Sequence, residues 1–179
     1  MRSNKRLGYI TEQAFFTEAL RNDLEVFTPL GDYLPQDCLV MNLAGKIFKV
    51  QIKGSEKPEL SKDGIGGRYK ITTSTGRVSR TSIDCTKVDI VACFCAAANV
   101  WYLIPCLEIN NAVTIGLSPG NPNSKAKHEK YREAWEVFKI PWKLFPTPCH
   151  NQMWRTISGR RKTQRVRTLN AVDYGRYSY

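Results

Sequence analysis

The chain has 179 residues, and 42% of them are hydrophobic, which favours one globular domain and excludes an intrinsically disordered protein. Lysine and arginine total 27 against 16 acidic residues, and the net charge of +11 indicates a polyanionic partner, most simply nucleic acid. The most apolar stretch, residues 90–104, is shorter than the ~20 residues that span a bilayer. Because no apolar run follows the charged N-terminus, we expect no secretory signal, no membrane partner and a cytoplasmic location.

Cysteine and histidine usage narrows the possible chemistry. The six cysteines include no C-x-x-C pair and most lie in apolar runs, so we expect reduced, mostly buried thiols and neither zinc ligands nor a disulfide framework. Two histidines, His128 and His150, give little basis for a zinc-binding histidine pair or a Ser-His-Asp site.

In chain order, the first predicted elements are a helix over residues 8–22 and a short strand over residues 24–28. Apolar residues at roughly helical spacing, including Phe15 and Ala19, predict the helix. Pro29 ends the strand, and a loop then leads to residue 35.

Residues 35–53 predict a hairpin of two strands, with β-branched and aromatic residues on both sides of a turn at Gly45. If residues 43–45 form the loop, Asn42 faces Lys46 across the ladder. Counting outward from that pair then sets the register of the whole hairpin.

This register brings polar side chains together at the open end of the hairpin. Asp37 lies opposite Gln51, and strand alternation places Lys53 on the face of Gln51 and Ile52 on the other face. A carboxylate, an amide and an ammonium should therefore converge there, unless a bulge beside Gly45 shifts the register by one residue.

The second half of the chain predicts a basic loop, two apolar strands, a helix and a basic tail. Residues 54–82 are polar, glycine-rich and basic, with a strand at 69–75. Continuous apolar runs at 88–95 and 100–104 predict central strands buried on both faces. Ser124 is the predicted N-cap of a helix that ends near Phe138. The expected fold is α/β, a mixed central sheet flanked by helices, with residues 1–140 as the core and 141–179 as a basic C-terminal extension.

A glutamate on the first helix, an aspartate on one strand and a residue-x-lysine pair on the next strand resemble the PD-(D/E)XK nuclease superfamily. The motifs stand here as Glu12, as Pro35-Gln36-Asp37 with one inserted residue, and as Gln51-Ile52-Lys53, where the family usually has an acid in place of glutamine. One small branch of this superfamily has similar sequences at the segments that correspond to residues 28–32, 88–91, 101–105 and 130–135. That branch includes a cyanobacterial group I intron homing endonuclease, which likewise carries Gln-x-Lys. The resemblance covers residues 8–138 and implies a restriction-endonuclease-like core.

The resemblance implies a metal-dependent DNA endonuclease in which Glu12, Asp37, Gln51 and Lys53 are catalytic. We expect Asp37 to be the central ligand of Mg²⁺ (or Mn²⁺), with Glu12 binding directly or through water and the carbonyl oxygens of Gln51 and Ile52 completing the protein ligands. Lys53 would orient the attacking water and stabilise negative charge near the phosphate. Two plainer interpretations stay open: a solvated cross-strand pair for Asp37 and Gln51, and surface charge for Glu12.

Double-stranded DNA is the expected partner, bound through lysine and arginine contacts to phosphates. The candidate DNA-binding residues are Lys57, Arg68, Lys70, Arg77 and Arg80 in the basic loop, and Arg160, Arg161, Lys162, Arg165 and Arg167 in the tail. For the tail, a disordered solubilising segment is the alternative.

A site-specific homing endonuclease is the favoured function, acting as a homodimer or homotetramer because cutting two strands with one site per chain requires two sites. A structure-selective Holliday junction resolvase is the first alternative, since it shares the core. A non-catalytic nucleic-acid-binding protein is the second, because Gln51 replaces the usual acid.

Overall fold

The computed structural model describes residues 4–31, 33–60, 67–75, 81–121 and 124–139. All of them belong to one compact unit, Met1–Trp142, and a second unit, Lys143–Tyr179, lies outside the described residues. The predicted division at residue 140 and the predicted tail therefore stay predictions. In the described ranges, no helix is long and apolar enough to cross a membrane.

The elements follow the predicted order over the first half of the chain. The helices are α1 (Asn4–Arg21) and α2 (Cys106–Ile109), and short 3₁₀ turns lie at Ala96–Ala98, Glu129–Tyr131 and Trp135–Phe138. The strands are β1 (Glu25–Phe27), β2 (Cys38–Met41), β3 (Ile47–Ser55), β4 (Glu59–Leu60), β5 (Gly67–Thr72), β6 (Ser74–Thr75), β7 (Thr81–Ser82), β8 (Ile90–Cys95), β9 (Val100–Pro105) and β10 (Thr114–Leu117).

The central sheet has five strands in the order β1-β2-β3-β8-β9. Strands β3 and β8 run parallel, with Val50 beside Ile90, and the other neighbours are antiparallel. The predicted mixed sheet in an α/β fold is therefore confirmed. Strand β8 is buried almost throughout because it lies between two strands and carries side chains that are apolar on both faces, as predicted.

An aromatic layer joins α1 to the central sheet. Phe15 is fully buried, and its ring centroid lies 5.4 Å from that of Trp101 on β9 and 5.8 Å from that of Trp135. Phe48 and Phe138 meet edge to face at 5.3 Å. Burial of such large rings is worth several kcal/mol each, so this layer fixes α1, and the glutamate it carries, against the sheet.

The predicted helix at residues 124–138 is wrong. The chain forms two short 3₁₀ turns there, because it pairs with β9, the edge strand of the sheet. The N–H of Glu133 donates to the Trp101 carbonyl (2.8 Å), and the Glu133 carboxylate accepts from the Trp101 N–H (2.6 Å). Glu133 also has a φ of 48°, which a continuous helix does not allow. The segment thus pairs with outward backbone groups of β9, a strand that the sequence predicted to be central but that lies at the edge of the sheet.

The region predicted as a basic loop, 54–82, contains a strand in its central part, as predicted. Strand β5 pairs with β10 on one side and β4 on the other in a separate three-stranded antiparallel sheet. Tyr69 and Ile71 are buried, whereas Arg68 and Lys70 alternate with them on the exposed face. The predicted strand at 69–75 corresponds to β5 and β6.

The prediction of reduced cysteines is wrong for one pair and right for the three cysteines that are free and buried. Cys85 and Cys106 form a disulfide. The pairing follows from the register: the Cys106 N–H bonds to the Asp89 carbonyl (2.9 Å), and the turn that precedes Asp89 brings Cys85 back to the same place. Cys38, Cys93 and Cys95 are buried free thiols, and Cys149 lies outside the described residues.

His128 is buried, and this burial makes the stability of the fold pH-dependent. Burial lowers the pKa of His128, and Lys127 and Lys130 act in the same direction against the raising effect of Glu108. The free energy of unfolding should therefore fall as the pH drops below about 6.5, because the unfolded chain then binds a proton that the folded chain does not. Urea denaturation at several pH values between 7.5 and 5.5 measures the free energy of unfolding at each pH. This free energy should change less with pH for His128→Gln than for the unmodified chain. Equal changes in the two proteins would contradict this assignment.

Candidate active site

The β2–β3 hairpin adopts the predicted register. Cys38 lies opposite Val50 and Met41 opposite Ile47, and the Asn42 N–H donates to the Lys46 carbonyl at 2.9 Å. The loop closes at Gly45, whose φ of 75° is the left-handed conformation that glycine adopts without strain.

The hairpin is irregular at its other end, where Asp37 leaves the ladder. The Asp37 N–H donates to the Val50 carbonyl (2.9 Å), and Cys38 also lies opposite Val50. Two residues of one strand facing one residue of its partner form a β-bulge, which redirects the side chain of the extra residue. The bulge lies at Asp37 and not beside Gly45, so the ladder does not extend to a regular Asp37–Gln51 backbone pair.

The side chains of these two residues nevertheless meet. Asp37 Oδ2 accepts hydrogen bonds from Gln51 Nε2 (2.8 Å) and from the Ile52 backbone N–H (2.5 Å). The carboxylate thus takes the place of a strand carbonyl where β2 has ended. Because the N–H and C=O of one strand residue point to the same side, the Ile52 carbonyl lies on the side of β3 that faces β2.

Glu12 and Asp37 line one cleft of about 510 Å³ between α1 and the segment that precedes β2. Both carboxylates also act on one buried thiol: burial, then the negative charge of Asp37, then that of Glu12 raise the pKa of Cys38 to about 12. The structure therefore brings together the two acids that the sequence places 25 positions apart.

The walls of this cleft combine polar side chains with apolar and aromatic ones, and the sequence analysis did not place the apolar ones there. Tyr9 and Phe16 of α1 form one wall, and Leu30 and Leu34 form another. Tyr9 lies three positions before Glu12 and Phe16 four positions after it, so helical spacing groups them with that acid. No local pattern places Leu30 and Leu34 beside them, and the packing of α1 against the segment before β2 does so.

Gln51 and Lys53 lie on the opposite face of β3 from Gly54, which packs against Thr11 of α1. Gln51 is buried and Lys53 half-buried. Lys53 lies beside Cys93 of β8 in the parallel register. Asp37 is therefore at the strand edge, in contact with Gln51 on one side and sharing a cleft with Glu12 on the other.

This donor set is compatible with a hard divalent cation. Mg²⁺ usually takes one or two carboxylates and fills its shell with water and substrate phosphate, and Glu12 and Asp37 supply two carboxylates. Ile52 contacts Asp37 through its N–H and, like Gln51 and Lys53, does not line the cleft that Glu12 and Asp37 share. Within the described ranges no group of three or more His, Cys, Asp and Glu side chains could hold a metal ion.

The predicted DNA-binding residues are only partly described. Lys57 is exposed after β3, and Arg68 and Lys70 project from the exposed face of β5. The Arg68 guanidinium lies directly over Gly116 of β10, where any Cβ would collide with it. Arg77, Arg80, Arg160, Arg161, Lys162, Arg165 and Arg167 lie outside the described residues.

Comparison with known proteins assigns the family. A family model described as PD-(D/E)XK endonuclease matches residues 2–138. The solved structure of a bacterial homing endonuclease, I-Ssp6803I, aligns with a TM-score of 0.65 and 25% identity, over 77% of this chain and 95% of that chain. Curated proteins give no significant match. The predicted resemblance and the restriction-endonuclease-like fold class are confirmed, and the chain belongs to the PD-(D/E)XK endonuclease family.

Proposed function

We propose that this endonuclease hydrolyses double-stranded DNA with a divalent metal ion, as a site-specific homing enzyme. The observation that carries the proposal is the Asp37 carboxylate, bonded to Gln51 and Ile52 and sharing a cleft with Glu12. The similarity to I-Ssp6803I over most of both chains supports the homing role.

In this proposal Asp37 and Glu12 hold Mg²⁺ or Mn²⁺, together with the Ile52 carbonyl and the Gln51 amide oxygen. Such an ion supplies charge neutralisation at the scissile phosphate and an acidified water. The Gln51 amide donates to Asp37 and adds no charge, so two acids share the site instead of three. Metal affinity should consequently depend more on the phosphate than it does in an all-acid site.

Lys53 has a separate role in the proposal. It follows Gln51 by two residues, so strand alternation directs both side chains to one face of β3. An ammonium there orients the attacking water and stabilises the negative charge that grows on the phosphate oxygens.

Digestion of supercoiled plasmid DNA tests the proposal. Incubation with Mg²⁺ or Mn²⁺ should give discrete linear fragments with defined ends, and EDTA should prevent cutting. Cleavage confined to synthetic four-way junctions would favour the junction resolvase. DNA binding without cleavage of any substrate would favour the non-catalytic binder, the function left open by the missing acid at Gln51.

Cutting both strands with one site per chain requires two copies, so a homodimer or homotetramer is part of the proposal. Sedimentation velocity of the free protein and of its DNA complex measures the number of copies directly.

The exposed face of β5 is the proposed DNA-contacting surface of the described residues. Arg68→Ala and Lys70→Ala should each weaken DNA binding and reduce the slope of log K against log salt by about 0.9, the value for one lost phosphate contact. Lys70 Nζ also lies 3.9 Å from Glu59 Oε1, so the Lys70→Ala substitution removes a weak surface ion pair as well. Lys139→Ala, at another exposed lysine, is the matched control and should leave the slope unchanged. Unchanged slopes for both β5 variants would remove this surface from the proposal.

A further inference from the structure

Three exposed apolar side chains lie beside the acid-containing cleft. Leu30 is fully exposed, Tyr33 is 94% exposed and Leu34 is 54% exposed. Folding gains little from apolar groups left in water, and exposed apolar groups that cluster mark interaction sites more often than isolated ones do.

The Tyr33 ring approaches Gly31 closely. A Cβ at Gly31 would collide with Cε2 and Cδ2 of the ring, so a larger residue there would displace the ring from this position. Because 94% of the Tyr33 side chain is exposed, the ring is open to a stacking partner.

The position of these side chains identifies what would cover them. Leu30, Gly31 and Leu34 line the same cleft as Glu12 and Asp37. A second copy seated on Leu30 and Leu34 would close that cleft, whereas the net charge of +11 favours a polyanionic occupant. A nucleic acid entering the cleft would instead bring a phosphate to the metal ion proposed at the two acids and its bases to the apolar side chains.

We propose that Tyr33, with Leu30, is an apolar wedge that inserts against the base pairs next to the phosphate to be cut. The inference rests on the proposed function, because it takes the DNA strand to lie in the cleft. Apolar side chains that enter between base steps unstack and unwind the duplex at that point. The wedge positions the scissile phosphate over Asp37 and contributes affinity that does not depend on salt.

Unwinding can be measured without knowing the target sequence. A nicked plasmid is closed by DNA ligase in the presence of the full chain carrying Asp37→Asn, which keeps the DNA uncut. Bound protein should lower the linking number in proportion to its occupancy. When the same protein also carries Tyr33→Ala, the reduction in linking number per bound molecule should fall by at least half and the DNA affinity should fall about 5–100-fold. With Tyr33→Phe, the reduction in linking number and the affinity should both stay as in the parent. Leu43→Ser, at an exposed leucine in the hairpin turn, is the control and should behave as its parent.

The wedge would be overturned if the Asp37→Asn parent did not unwind the DNA. It would also be overturned if replacing Tyr33 by alanine in that parent left the reduction in linking number per bound molecule unchanged. A fall in sedimenting mass of the Tyr33→Ala protein, with unwinding retained, would assign the surface to contacts between copies and also overturn it. Plasmid cleavage by the unmodified chain is scored separately. Cleavage without unwinding refutes the wedge alone, and unwinding without cleavage refutes the proposed function alone.

Discussion

Asp37→Asn is expected to abolish DNA cleavage while leaving DNA affinity within a few-fold of the unmodified chain. The loss should exceed about 100-fold, since changes to residues that only orient a metal ligand already cost about 10–100-fold. An asparagine oxygen can still accept the Ile52 N–H, so the bulge and the hairpin should survive. Plasmid cleavage rates with Mg²⁺, together with filter binding of the same DNA, separate the loss of chemistry from loss of binding.

The matched control is Asp23→Asn, which removes the same charge from an exposed residue. Asp23 has a φ of 59°, a conformation that asparagine tolerates as well as aspartate does. Lys53→Ala is the companion change and should slow cleavage by about 10²–10³-fold with affinity retained, because it removes one stabilising group at the phosphate. Cleavage at the normal rate by Asp37→Asn would refute the assigned site.

Gln51→Glu is expected to destabilise the metal-free protein by about 1–3 kcal/mol at pH 7. In place of the amide that donates to Asp37 at 2.8 Å, the variant has a second carboxylate in a buried position. Two adjacent anions repel, and the lost donor leaves the Asp37 oxygen with one bond fewer. Urea denaturation in EDTA measures the loss, and Mg²⁺ should recover part of it because a cation between the carboxylates removes the repulsion.

The sign of the pH dependence distinguishes repulsion from a packing defect. The pKa of the new carboxyl should be raised in the folded state, so the penalty is absent below about pH 4 and grows as the pH rises above it. Asn110→Asp adds the same charge at an exposed residue with a φ of 52° and should show neither the penalty nor the recovery with metal. A penalty that Mg²⁺ and pH both leave unchanged would argue against a cation site at Asp37.

The hairpin illustrates how much of the site the sequence could predict. Gly45 and the Asx turn of Asn42, whose side chain accepts the N–H groups of Ala44 and Lys46, are local signals, so loop and register were predictable. The bulge at Asp37 was not, because it depends on where β2 stops pairing with β3. The prediction that Asp37 and Gln51 meet was still right, since a side-chain contact survives a one-residue irregularity that breaks the backbone pair.

The errors share a cause in tertiary pairing. Residues 124–138 have apolar side chains at helical spacing, but the edge of β9 offers them backbone hydrogen bonds that a helix would forgo. Cys85 and Cys106 lie 21 positions apart, and nothing local indicates that β8 and β9 return the chain to the same point. In both cases partners distant in sequence outweigh local propensity.

The segment around Arg132 and Glu133 has a consequence for the resistance of the protein to aggregation. By occupying the outward N–H and C=O of Trp101, it denies them to any other strand. A fragment ending before Glu129 would have an unprotected, largely apolar ribbon at the border of its sheet, a template for fibril-like stacking. Premature termination at that point would therefore be harmful through aggregation, even though every proposed catalytic group precedes it.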